Sequence, residues 1–439
     1  MTSAAQRRGE YVLRTVKERG VRFVRLWFVD VLGLLKSLAI PVSELETALA
    51  EGVGIDGSSL EGAARRREQD AIARPDPATF QVLPWQPESL VARMFCDVRR
   101  PDGDPHPGDS RHALRRVLAQ AAELGYVFQV GPEVEFFLFA EPGQDGEKPR
   151  PLDTGAYFDL TPLDVGSDFS RRTIEHVEQM GIPVKQSHHE VAASQHELGL
   201  HHTDALSMAD AVITFRLAVK EVARELGVYA TFMPKPLEDV AGSGMHLHCS
   251  LFEGERNAFF ADGGEGPLSP TGSAFLAGVL AHAPELCAVT NQWVNSYKRL
   301  AAGFEAPDHV AWARRGDSSL VRVPSNRPGK EAAARIELRS PDPACNPYLA
   351  LALVLAAGLR GLERGYQLPA ETNGTPADGV RRLPQDLREA TDLFDRSELA
   401  REALGDAICD AVVANKRQEW EAYRRTVTEF ERSRLLGLL

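Results

Sequence analysis

A chain of 439 residues allows two or three domains with ample core. Its formal charge of −12 argues against nucleic-acid or anionic-membrane partners, which reward clustered Lys and Arg. Five cysteines without a CxxC pair fit reduced thiols in a cytoplasm, and neither the start nor the apolar run at 349–359 reads as a targeting or membrane-spanning segment.

In chain order, a short N-terminal helix leads into VRFVRLWFVDVLGLLKSLAIPV, where two apolar runs flank Gly33 and predict a hairpin. ARMFCDV (92–98) predicts another strand. The Pro, Gly and Asp density of 99–110 marks a linker, so the expected division is a first domain over 1–105 and a second over 106–439. Asp109-Ser110 offers a cap for the following helix. The second domain reads as α+β, with aromatic and β-branched strands alternating with helices such as 111–125 and 205–227.

SHHEVAASQHELGLHH (187–202) holds five histidines and two glutamates. A zinc protease helix needs His-Glu-x-x-His, but Leu200 stands where the second histidine belongs, and His201 lies about 140° around a helix from His196. Glu190 and Glu197 are hard oxygen donors that suit Mg²⁺ or Mn²⁺ better than zinc. In GPEVEFFLF, Glu133 and Glu135 share one strand face. The same period places His246 with His248, and Arg335 with Glu337 and Arg339. Three such strands predict one cleft for two divalent cations and a polyphosphate. There is no P-loop and no Rossmann glycine fingerprint.

Five separated motifs, IDGSS (55–59), PEVEFF (132–137), HHEVA with Glu197, GSGMHLHCSL (242–251) and NSYKRLAAGFEAP (295–307) leading into RIELRSPDPACNPYL, make the chain resemble a type I glutamine synthetase over nearly its whole length. VRLWFVDVLG and ARMFCD look closest to the actinobacterial glutamine-synthetase-like branch, some of whose members join glutamate to polyamines or ethanolamine. The resemblance implies an N-terminal β-grasp domain, a catalytic domain on a curved antiparallel sheet, and a dodecamer of two hexameric rings gripped by the final ERSRLLGLL. It implies one metal on Glu135, Glu190 and Glu197 and a second on Glu133, His246 and Glu337. His248, Ser250, Arg322 and Arg335 match positions that contact ATP. Arg299 and Arg339 match those that hold the acid substrate, Glu305 the flap acid, and Asp56 the acid that binds ammonium from the neighbouring subunit. The implied reaction is ATP-dependent ligation of an acid and an amine through an acyl phosphate, within nitrogen metabolism.

Departures from the family pattern bear on the substrates. Lys185 replaces an ATP-contacting glutamate, Ala241 an asparagine that touches glutamate, and Asp317 an arginine near the transferred phosphoryl group. Ala193-Ser194 replaces Pro-Gly between the metal glutamates, and Cys249 replaces a glutamine. A ligase with altered substrates is the first reading, Asp317 favouring an amine larger than ammonia, and a non-catalytic ring or regulatory subunit is the second. No tyrosine occurs between Gln367 and Ala422, so control by adenylylation is not expected.

Overall fold

The apolar runs around Gly33 fold back on each other in the computed structural model, which describes residues 3–64, 67–85, 90–143, 147–160, 165–261, 267–301, 306–315, 319–326, 329–372 and 379–439. Strands Phe23–Val29 and Leu35–Pro41 pair antiparallel. Asp30 Oδ1 accepts from the backbone N–H groups of Leu32 and Leu34 in the turn. Gly33 takes φ +73°, and a Cβ there would lie 2.7 Å from Asn346 Cα, so both conformation and space demand glycine. Asn346 Nδ2 donates to the carbonyls of Asp30 and Val31, which seats the hairpin tip on the second domain.

Strand Val91–Arg99 pairs parallel with Phe23–Val29 and continues through Asp70–Pro75 to Val53–Asp56, giving a mixed sheet. The N-terminal helix Ser3–Glu18 buries Val12 and Val16 in the same apolar cluster as Val24, Leu26 and Met94. This is a β-grasp arrangement. It connects to the second domain through Arg111, whose guanidinium donates to Asp76, Asp97 and Asp210.

Among the described residues, the second domain is built on an eleven-stranded curled sheet. Its main path runs His309–Ala313, Ser319–Arg322, Ile336–Leu338, Met245–Glu253, Val127–Glu141, Gln195–Leu200 and Val184–His189. Neighbours along it are antiparallel except the first pair, which is parallel. The expected Arg335-to-Arg339 strand is shorter than the sequence pattern suggests, spanning only Ile336–Leu338. Phe136, Phe169, Phe215 and Phe232 fill one side of the sheet with contacting rings. Helix Pro270–Thr290 is long and apolar enough to span a bilayer, but it is mostly buried and packs against Pro347–Arg364, the backbones meeting at Gly278 and Gly361. Ser269 caps this helix, its side chain accepting from the Gly272 N–H. All five cysteines are buried and free.

Candidate active site

The central strand Val127–Glu141 alternates as its sequence requires: Val134 and Phe136 are fully buried in the core, while Glu133 and Glu135 project to the opposite face. Register then assembles the rest. Glu133 pairs with His246, Glu135 with Glu197, and His248 with Glu337, which in turn pairs with Arg322. Glu190 follows the strand Val184–His189, and its backbone N–H donates to Gln195 O across the hairpin. The six expected metal residues therefore converge on one face from five chain segments.

The finer grouping differs from the expected partition. His188, absent from the sequence expectations, lies with Nε2 2.9 Å from Glu190 Oε1 and Nδ1 3.7 Å from Glu197 Oε1. His248 Nε2 is 3.0 Å from Glu133 Oε2, so it stands as close to that carboxylate as any metal candidate does. His246 bridges the two halves, 3.8 Å from Glu135 and 3.7 Å from Glu337. Gln195, also missed, donates to Glu135 Oε2 at 3.0 Å, beside the Gly244 N–H at 2.9 Å.

Five carboxylates this close cannot all ionise in a buried site without cations. Burial, then the charge of Glu190, pushes Glu135 up to about 8. Burial, then Glu133, Glu135 and Glu190, pushes Glu197 up to about 10. Glu133 goes the other way: against the cost of burial, His248, His246 and Lys185 hold it well below the usual carboxylate range. Burial, with Arg339 and Arg299 nearby, holds the His246 imidazole down and keeps it neutral, the form that ligates metals. Oxygen donors with a neutral imidazole fit Mg²⁺ or Mn²⁺.

Cations flank this face. Arg322 Nη1 lies 3.0 Å from Glu337 Oε2 and Arg339 Nε 3.4 Å from Glu337 Oε1. Arg335 Nε donates to His248 Nδ1 at 3.1 Å. Ser250 is buried two residues beyond His248 on the same strand face. Lys185 Nζ comes within 3.5 Å of Glu133 Oε1. Arg299 is buried and donates to the carbonyls of Ser340, Pro341 and Arg339, so three of its five N–H groups brace that loop. Asp56 belongs to the N-terminal sheet, where its Oδ1 accepts from Ser58 and from Gln69 N–H. Glu305 and Asp317 lie outside the described residues. Ser194 takes the left-handed φ of +64° that glycine adopts without strain. Its side chain compensates by accepting from the backbone of Leu152 and Asp153.

Residues 107–435 match the glutamine synthetase catalytic domain, and residues 20–101 the glutamine synthetase beta-Grasp domain. The chain belongs to the glutamine synthetase family. As a glutamine synthetase-type protein it is an ATP-dependent ligase forming C–N bonds, from a family that uses ATP, divalent metals and small-molecule substrates. It is 53% identical to the glutamine synthetase of Mycolicibacterium smegmatis, over 98% of this chain and 100% of that one. It is 44% identical to the glutamine synthetase of Methanosarcina mazei, over 98% of each. Among solved structures, GmaS in complex with ADP superposes with a TM-score of 0.87 at 33% identity, covering 97% of this chain and 99% of GmaS; ligand-free GmaS matches equally well at 34%.

Proposed function

We propose that the chain activates a glutamate-type carboxylic acid with ATP as an acyl phosphate and passes the acyl group to an amine larger than ammonia. The observation that carries the first half is the single face bearing Glu133, Glu135, Glu190, Glu197, His246 and Glu337, rimmed by Arg322, Arg335 and Arg339. Glu135, Glu190 and Glu197 would hold one Mg²⁺ or Mn²⁺, with His188 beside them, and Glu133, His246 and Glu337 the second. Bound there, the ions offset the charge of the polyphosphate as it approaches the acid.

His248, Ser250, Arg322 and Arg335 contact ATP in this reading, while Arg339 and the remaining N–H groups of Arg299 orient the acid. An oxygen of the acid attacks the γ-phosphorus and ADP leaves. The amine then attacks the acyl carbon, phosphate leaves, and the amine proton passes to Asp56 of a neighbouring subunit or to Glu305, whose flap excludes water. Two stacked hexamers held by residues 431–439 would supply that neighbour.

Support for a larger amine comes from the residues that depart from the family pattern. Asp317 exchanges a cation for an anion and so offers a place for a second ammonium group, while Ala241 and Lys185 alter the acid and ATP contacts. Some members of the actinobacterial glutamine-synthetase-like branch that the chain resembles join glutamate to such amines. Ammonia is the second reading, favoured by relatives that are glutamine synthetases at up to 53% identity. Amide formation from ATP and glutamate, followed by mass spectrometry across ammonia, ethanolamine, putrescine and spermidine, separates them. Faster turnover of any larger amine supports the proposal, and turnover of ammonia alone overturns it.

A further inference from the structure

The hairpin that carries Glu190 and Glu197 has a second face. His189 and His196 stand opposite each other in the register between Val184–His189 and Gln195–Leu200, and alternation turns them away from His188 and Glu197. Phe136 stacks on His196 from the core side. Facing the two imidazoles is Asp153, which no part of the proposed ligase chemistry uses. His189 Nε2 is 3.0 Å from Asp153 Oδ1, His196 Nε2 is 3.7 Å from Asp153 Oδ2, and the two rings are centred 4.9 Å apart. One donor atom from each residue falls within 4.8 Å of the others.

The hydrogen bonding around this triad points to a cation. His189 Nδ1 is 2.7 Å from the Glu190 carbonyl, which only accepts, so Nδ1 carries a proton and Nε2 is the ring nitrogen turned to Asp153. Asp153 Oδ1 already accepts from the backbone N–H groups of Ser194 and Gly155, while Oδ2 faces His196. Asp153 Oδ2 and His196 Nε2 are both buried without a hydrogen-bond partner, and the His196 side chain is only 4% exposed. A Cβ at residue 155 would sit 2.6 Å from His189 Nε2, so Gly155 keeps that flank of the ring open. A cavity of about 490 Å³, lined by Phe158, Ser187, His188, His189 and His196 among others, offers an approach.

We propose that Asp153, His189 and His196 bind one divalent transition-metal ion of the zinc class, on the face of the hairpin opposite the catalytic carboxylates. Two imidazoles and a carboxylate form a common zinc donor set, and imidazole nitrogen selects against Mg²⁺. The supporting contacts match those of a ligating histidine: Nδ1–H on a backbone carbonyl for His189, and backbone N–H groups from Ser194 (2.8 Å) and Gly155 (3.0 Å) fixing Asp153 Oδ1. The ion ties the 152–155 segment to both strands that present Glu190 and Glu197. It is a structural clamp behind the catalytic face.

The test uses the full-length protein, stripped with chelator and then titrated with Zn²⁺ in excess Mg²⁺ by calorimetry, with metal content read by mass spectrometry. The expected result is one zinc per chain that survives Glu135→Ala, is lost in His196→Gln and in Asp153→Asn, and raises the unfolding temperature of the wild type and of Glu135→Ala but of neither other variant. Co²⁺ in the wild-type protein should give intense visible bands of a low-coordinate site with nitrogen ligands, a readout independent of whether either variant folds. Zinc uptake unchanged in folded His196→Gln, zinc lost in Glu135→Ala, or only weak six-coordinate Co²⁺ bands would overturn the assignment and leave an imidazolium–aspartate pair in its place.

Discussion

Lys185 competes with a metal ion for Glu133, and its removal should tighten metal binding. The ammonium lies 3.5 Å from Glu133 Oε1, with the lysine side chain 43% exposed and the glutamate 16%. At that separation, an effective dielectric of roughly 40 to 80 for a partly hydrated pair gives an attraction of about 1 to 2 kcal/mol. A divalent ion on Glu133 forfeits that attraction and also faces the lysine charge. Replacing Lys185 with methionine keeps the stem and removes the charge, so the ion that uses Glu133 should bind about 5- to 30-fold more tightly. Calorimetric titration with Mn²⁺ measures this directly. The gain should shrink in high salt, because the pair is partly exposed. An unchanged or weaker affinity in Lys185→Met would refute the reasoning.

Glu135→Ala or His246→Ala should each remove one of two bound Mg²⁺ or Mn²⁺ ions, and unchanged stoichiometry by calorimetry would contradict the two-ion assignment. Glu135 and Glu197 are raised above their ordinary 4.5 to about 8 and about 10, so their contribution to metal-free stability is complete below about 4.5 and is lost as pH rises through those values. Mg²⁺ displaces the same protons, so the rise in unfolding temperature that it causes should widen between pH 6 and pH 8.5; a constant or narrowing gap would count against this. Ser194→Ala strands the N–H groups of Leu152 and Asp153 while keeping the left-handed backbone, and should cost about 1 to 3 kcal/mol in urea unfolding. Ser194→Gly should cost about 1 kcal/mol less.

Much of this was legible in the sequence because period two is a strong signal. The alternation of Glu133 and Glu135 with Val134 and Phe136 placed carboxylates and core on opposite faces, and Gly33 marked the hairpin. The place of His188 was not legible, because it depends on the register of two strands joined by a loop whose Ser194 takes a glycine-like conformation. Arg335 and Arg339 read as one face with Glu337, yet the strand ends at Ile336 and Leu338. Arg335 turns to His248 and Arg339 to Glu337. The bracing of Arg299 by three carbonyls is a tertiary fact with no local signature.

The central claim is that the acid is activated as an acyl phosphate. Turnover of ATP with glutamate labelled by ¹⁸O in its carboxylates, in the presence of Mg²⁺ and the best amine of the panel, tests it most directly. The account predicts one ADP and one phosphate per amide formed, with one ¹⁸O of the acid carried into each phosphate. Amide formation with unlabelled phosphate would contradict it.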